Sequence, residues 1–149
     1  MHLRSIVALA LVFTAVPATA APKAKKLAET DLRDAKDWDV MRLPACSTPG
    51  NMPVNRLQLA VTKHPAEIDR LKVTFFDGSS EVLNVRDRFK PGTTSRWIDV
   101  PGALRCIKTI RVVGDTDSLG WRPGKQAKVS VWGLKLQPGR ARSPRRNAR

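Results

Sequence analysis

Between Leu71 and Val113 the chain alternates apolar and polar residues at period two, and turn-forming pairs interrupt it every few residues. That rhythm suits half-buried β-strands and leaves no room for a helix longer than a turn. Asp77-Gly78, set between two strand-like runs, is a strong hairpin signal, and the Phe89–Thr94 loop, with Pro91-Gly92, marks a second turn. Upstream, Asp37–Leu43 reads as a strand that Pro44 ends, because proline has no amide to give a sheet ladder. Asn55–Val61 alternates cleanly, with Leu57, Leu59 and Val61 on one face. Glu67–Phe76, Ser80–Val85, Ser95–Val100, Ala103–Val113 and Gln126–Leu136 follow as further strands. Within Ala103–Val113, Cys106, Ile110 and Val112 share one parity while Ile107 and Val113 take the other. The pattern predicts an all-β chain, a single antiparallel β-sandwich of about seven strands over residues 37–137.

The first residues predict the compartment. Arg4 precedes an apolar run, Ile6–Val16, and Ala18-Thr19-Ala20 places small residues at a cleavage position. A run this short is a secretory signal over residues 1–20, since a membrane span needs about 20 apolar residues. Its removal predicts an exported, periplasmic or secreted protein with no transmembrane segment. Residues 21–36 are rich in alanine and lysine and read as a flexible linker, and residues 138–149 read as a disordered, arginine-rich tail. The formal net charge is +14, and the tail concentrates five arginines without an acid. Outside the cytoplasm such charge faces anionic lipid head groups, lipopolysaccharide or acidic glycan, and nucleic acid is not expected. The plainer reading of the tail is a solvated segment with no specific partner.

Cys46 and Cys106 are the only cysteines. An even count in an exported chain points to a disulfide, because that compartment lacks the reductants that keep thiols free. The alternatives are two buried thiols or a redox pair, although the Cys-x-x-Cys spacing usual for redox work is absent.

Around these residues a resemblance appears. Leu43-Pro44-Ala45-Cys46, Arg56-Leu57-Gln58-Leu59, Val73-Thr74-Phe75 and Leu83-Asn84-Val85 occur in order. Gly92-Thr93-Thr94, Trp97-Ile98, Arg105-Cys106, Ile110, Gly114-Asp115-Thr116 and Val129–Gly133 continue it. The series resembles a family of small exported bacterial proteins, the domain of unknown function 2541 family, over roughly Met41–Leu134. The resemblance implies a periplasmic address and supports pairing Cys46 with Cys106. It carries over no catalytic residue, and the arginine-rich tail lies outside it.

Reaction chemistry is hard to assemble. After the leader only His64 remains as an imidazole, it precedes Pro65 in a loop, and no Gly-x-Ser-x-Gly turn exists. His64 reads as an exposed loop residue, and a tetrahedral zinc site lacks ligands. Asp115–Gly120 begins like a calcium loop, but Leu119 stands at a ligand position and Gln126 replaces the bidentate glutamate, so it reads as a polar turn. Gly120–Lys125 has too few residues between its glycines for a phosphate loop. Glu81, Asp87 and Asp99 supply acids, but nothing in the sequence fixes their separation.

A binding role has more to work with. If Ile98 and Val100 face the core, Trp97 and Asp99 face out beside the basic run Arg86, Arg88 and Lys90, and Trp121 adjoins Arg122 in a polar loop. A tryptophan beside arginines can stack on a sugar ring or grip an anion. Against this, Trp38, Trp97 and Trp132 can simply fill core or edge, since large aromatics are mostly buried. The expectation is a non-enzymatic binding or envelope-associated module with no metal and no cofactor. Its ligand residues would be Trp97, Trp121, Arg86, Arg88 and Arg122, and its partner an anionic or saccharide envelope component or another envelope protein. The alternatives are a small periplasmic hydrolase with paired carboxylates, or an accessory protein that docks a partner on a sheet edge.

Overall fold

The computed structural model describes residues 22–32, 37–116 and 126–136. The leader, Trp121, Arg122, the end of the calcium-like string, the Gly120–Lys125 loop and the arginine-rich tail all lie outside the described residues.

Among the described residues nine strands form, in the order β1 (Lys25–Leu32), β2 (Asp37–Arg42), β3 (Arg56–Thr62), β4 (Ala66–Phe75), β5 (Ser80–Phe89), β6 (Thr93–Thr94), β7 (Ile98–Asp99), β8 (Ile107–Asp115) and β9 (Ala127–Leu134). One antiparallel sheet runs β1-β9-β3-β6, with β7 also on β3; the other runs β2-β8-β4-β5. Their inward side chains merge into one core. Leu57, Leu59, Val61, Val129 and Val131 come from the first sheet, and Ile68, Leu71, Val73, Phe75, Ile110 and Val112 from the second. The all-β sandwich read from alternation is therefore the fold, with nine strands among the described residues where about seven were expected.

Three differences have local causes. Residues 21–36 are not simply a linker, because Lys25–Leu32 pairs along β9 as an edge strand. Leu27 and Leu32 are buried there, which supplies the apolar anchors that the alanine- and lysine-rich composition hides. A register shift between Lys26 and Ala28 breaks the alternation that would have announced the strand. The expected strand Ser95–Val100 shrinks to Ile98–Asp99. The Ser95 hydroxyl accepts from the Leu59 amide at 2.9 Å and donates to the Arg96 carbonyl at 2.7 Å, so a side chain stands in the ladder. In β8, Ile107 and Ile110 are both fully buried despite opposite parity. The pairing with β4 slips between Thr74 and Phe75, and one extra residue on β8 turns the face over.

The Cys46–Cys106 disulfide ties the Pro44–Pro53 loop to the start of β8, with the Cα atoms 5.5 Å apart. Asn51 holds the same loop from inside: its buried Nδ2 donates to the carbonyls of Pro44 and Ile107, each at 2.8 Å. At the turn between β4 and β5, Arg105 stacks 3.7 Å above the Phe75 ring and donates to Ser79 Oγ at 3.0 Å and to the Pro101 carbonyl at 2.7 Å. That arginine joins the loop before β8 to the β4–β5 hairpin.

The β1–β9 seam carries an ion cluster. Glu29 accepts from Lys26 at 2.9 Å and from Lys128 at 3.2 Å. These hydrogen bonds, first Lys26 and then Lys128, hold its carboxyl down at about 2, below the usual 4.5. A depressed carboxyl stabilises the fold above its unfolded value and loses that contribution as pH falls through the folded one. Thermal unfolding between pH 4.5 and 2 should therefore show a loss that is smaller in Glu29→Gln. Equal losses in the two proteins would remove Glu29 from the account.

Candidate functional site

The outer face of the four-stranded sheet is built in cross-strand rows. Val113, Arg70 and Asn84 form one row, and Val40, Arg111, Lys72 and Val82 form the next. Since Val112, Leu71 and Leu83 are buried, alternation turns these neighbours to solvent. Val40 and Val82 are the exposed apolar ends of their row.

A bulge shapes one end of this face. Ile68 pairs with Asp87 and Arg70 with Asn84, so Val85 and Arg86 together oppose Asp69. Arg86 takes the extra position with φ of 48°, a left-handed conformation rare for a residue with a Cβ. Bulges re-aim side chains and bend the strand. Here the bend borders a depression of about 480 Å³ lined by Asp69, Arg70, Asn84, Arg86 and Val113. Arg88, two residues on, is committed differently, donating to Glu67 at 3.0 Å. Arg70, Arg86 and Asp69 make no ion pair among the described residues.

The residues singled out from sequence separate accordingly. Arg86 and Arg88 stand on β5 of the four-stranded sheet, whereas Trp97 leads into β7, which pairs with β3 of the other sheet. Ile98 and Val100 are buried and Asp99 is exposed, as the alternation suggested, and Trp97 is half-buried. No ring contact joins Trp97 to either arginine among the described residues. The two sheets approach at a smaller cavity of about 100 Å³ lined by Val85, Asp87, Ser95, Arg96 and Ile98. Sequence reading missed Asp69, Arg70 and Asn84, because only the register of β4 against β5 brings them beside Arg86. The one available signal was the unbroken polar run Arg86-Asp87-Arg88, which no strictly alternating strand would carry.

The acids considered for paired-carboxylate chemistry are dispersed. Asp99 meets Arg56 at 2.6 Å, Glu81 lies 3.7 Å from Arg105, and Asp87 lines the smaller cavity. Asp77 is held below the usual carboxylate range, chiefly by the Ser79 hydroxyl and amide, with Arg105 adding a smaller pull. Among the described residues no cluster of His, Cys, Asp and Glu is arranged to hold a metal ion. His64 sits half-buried in the β3–β4 turn, its amide donating to the Thr62 carbonyl at 2.9 Å.

Two antiparallel sheets around one core, closed by a single disulfide, define a small cystine-bonded β-sandwich domain. The family model described as domain of unknown function (DUF2541) matches residues 5–133, and the chain belongs to that family. Neither the search of curated proteins nor that of solved structures found a match.

Proposed function

We propose that the protein is an exported, non-enzymatic module that binds an anionic saccharide component of the cell envelope in the depression beside the β5 bulge. The carrying observation is Arg86, held in a strained backbone conformation next to Arg70, with neither guanidinium neutralised by an ion pair among the described residues. Backbone strain of this kind costs about 1–2 kcal/mol, and it persists where the surrounding structure over-determines it, often at ligand sites. Two arginines suit the oxygens of a phosphate or carboxylate. Asn84 and Asp69, on the same walls, suit sugar hydroxyls. A disulfide accords with an oxidising compartment, as the leader sequence does.

The test is a binding titration with purified lipopolysaccharide and with an acidic polysaccharide, run at low and high salt. Charge-assisted hydrogen bonds contribute about 1.5–3 kcal/mol each. Arg70→Ala combined with Arg86→Ala should therefore weaken binding by at least ~100-fold. Removing residues 138–149 should leave a salt-resistant component intact. Binding that disappears with the tail and with salt, and ignores both substitutions, would mean diffuse polyanion attraction and end the proposal.

A further inference from the structure

The five-stranded sheet has an outer face of opposite character, and there we propose a second site, for the uncharged rings of a saccharide chain. Gln58 on β3 pairs with Trp132 on β9. On the other side of β3, Leu57 pairs with Ile98 and the Ser95 amide donates to the Leu59 carbonyl at 2.8 Å, so Arg96 and Trp97 together oppose Gln58. Leu57, Leu59, Val131 and Ile98 are buried, so Gln58, Trp132 and Trp97 take the solvent side of the sheet. Both tryptophans are half-buried, packed onto the sheet with part of each residue open to solvent. Neighbouring strands lie about 4.8 Å apart, so two rings flanking one strand are separated by about 10 Å, the reach of two linked sugar rings.

Gln58 is fixed between them. Its Nε2 donates to the Ser95 carbonyl at 2.8 Å, and its Oε1 accepts from no group among the described residues. In the next row the two central side chains, Ala60 and Ser130, are small, with Glu29 and Thr94 at its ends. Most charges around this row are paired: Arg56 with Asp99 at 2.6 Å, Lys63 with Asp31 at 3.2 Å, and Lys26 and Lys128 with Glu29, while Arg96 next to Trp97 makes no ion pair among the described residues. Unlike the depression on the other sheet, this face offers no pair of unneutralised guanidinium groups among the described residues. Its chemistry is apolar ring faces flanking one carboxamide, which complements the C–H faces and hydroxyls of a neutral pyranose. The site stands independently of the anion-binding reading, because it shares no residue with the depression.

The probe is an uncharged β-1,4-linked tetramer of N-acetylglucosamine, with a glucose tetramer of the same linkage beside it. Each is titrated into the full chain while amide shifts and tryptophan fluorescence are followed. The expected result is saturable binding of at least one tetramer that salt leaves unchanged. Trp97→Ala and Gln58→Ala should each weaken it at least ~10-fold, the size expected for one stacked ring or one buried hydrogen bond. Arg70→Ala with Arg86→Ala should leave it unaltered, which separates failure of this site from failure of the other. Melting temperature checks each variant, and Trp132→Phe, which keeps a ring on β9, covers the case in which an alanine variant unfolds. Silence toward both tetramers, or equal affinity in a folded Trp97→Ala protein, overturns the proposal. So does a dimer that Trp97→Ala dissociates without any saccharide binding, since the face would then belong to a second copy of the chain.

Discussion

Replacing Cys46 and Cys106 together with serine is expected to lower the unfolding free energy by about 4 kcal/mol, the chain-entropy value for their 60-residue separation. The bond closes a loop that includes β3, β4 and β5, so its loss frees much of the chain in the unfolded state. In the folded state the loss is more local. Asn51 still joins the Pro44 and Ile107 carbonyls, so the loop keeps one internal anchor and the native packing can survive. Urea unfolding should give a midpoint drop large enough to read as roughly 15 °C in melting temperature for a domain of this size. The same drop should appear when the unaltered protein is fully reduced. Replacing both residues matters, since a single serine would leave a reactive thiol. A change below about 1 kcal/mol would show that the loop is already constrained in the unfolded chain.

Gly114→Ala is the second large effect. A Cβ there would press into the Glu67 carbonyl oxygen and lie 3.1 Å from Ile68 Cα. Both obstacles are backbone of β4, hydrogen-bonded between two neighbours, so neither rotates away. Overpacking of this kind costs about 1–3 kcal/mol, and the upper end is expected where the backbone itself must move. Gly133→Ala meets Leu27 Cδ1 and Val54 Cγ1 at 2.7 Å, side-chain atoms that include a leucine on an edge strand. It should cost less, about 1–2 kcal/mol. Denaturant unfolding of the two variants side by side gives the order, and a reversed order would contradict this packing account.

What could be read from the residues follows from where the information lies. The inward faces of β3 and β9 announce themselves through Leu57, Leu59, Val61, Val129 and Val131, because alternation is a property of one strand. Asp77-Gly78 announces the β4–β5 turn for the same local reason, and Gly78 has the positive φ, 86°, that favours glycine there. Bulges belong to pairs of strands. Arg86 leaves the ladder only because β5 carries one more residue than β4 between two fixed pairings, which the β5 sequence alone does not specify. Sheet membership is also a property of pairs. Trp97 and Arg86 lie eleven positions apart in the chain, yet they enter different sheets, so the composite site of tryptophan and arginines becomes two candidate surfaces. Trp132 was open to a core reading, and only its pairing with Gln58 places it opposite Trp97 on the solvent side.

The most direct measurement is Arg86→Gly, assayed for stability and for binding of an acidic polysaccharide in one preparation. Glycine accepts a φ of 48° without a Cβ clash, so the fold should gain about 1 kcal/mol. Binding should fall by about 10-fold or more, because one guanidinium leaves the depression. A protein that is more stable and binds less well would show that strain is retained at Arg86 for the ligand. A protein that is more stable and binds equally well would contradict the account, and the bulge would then be an architectural bend alone.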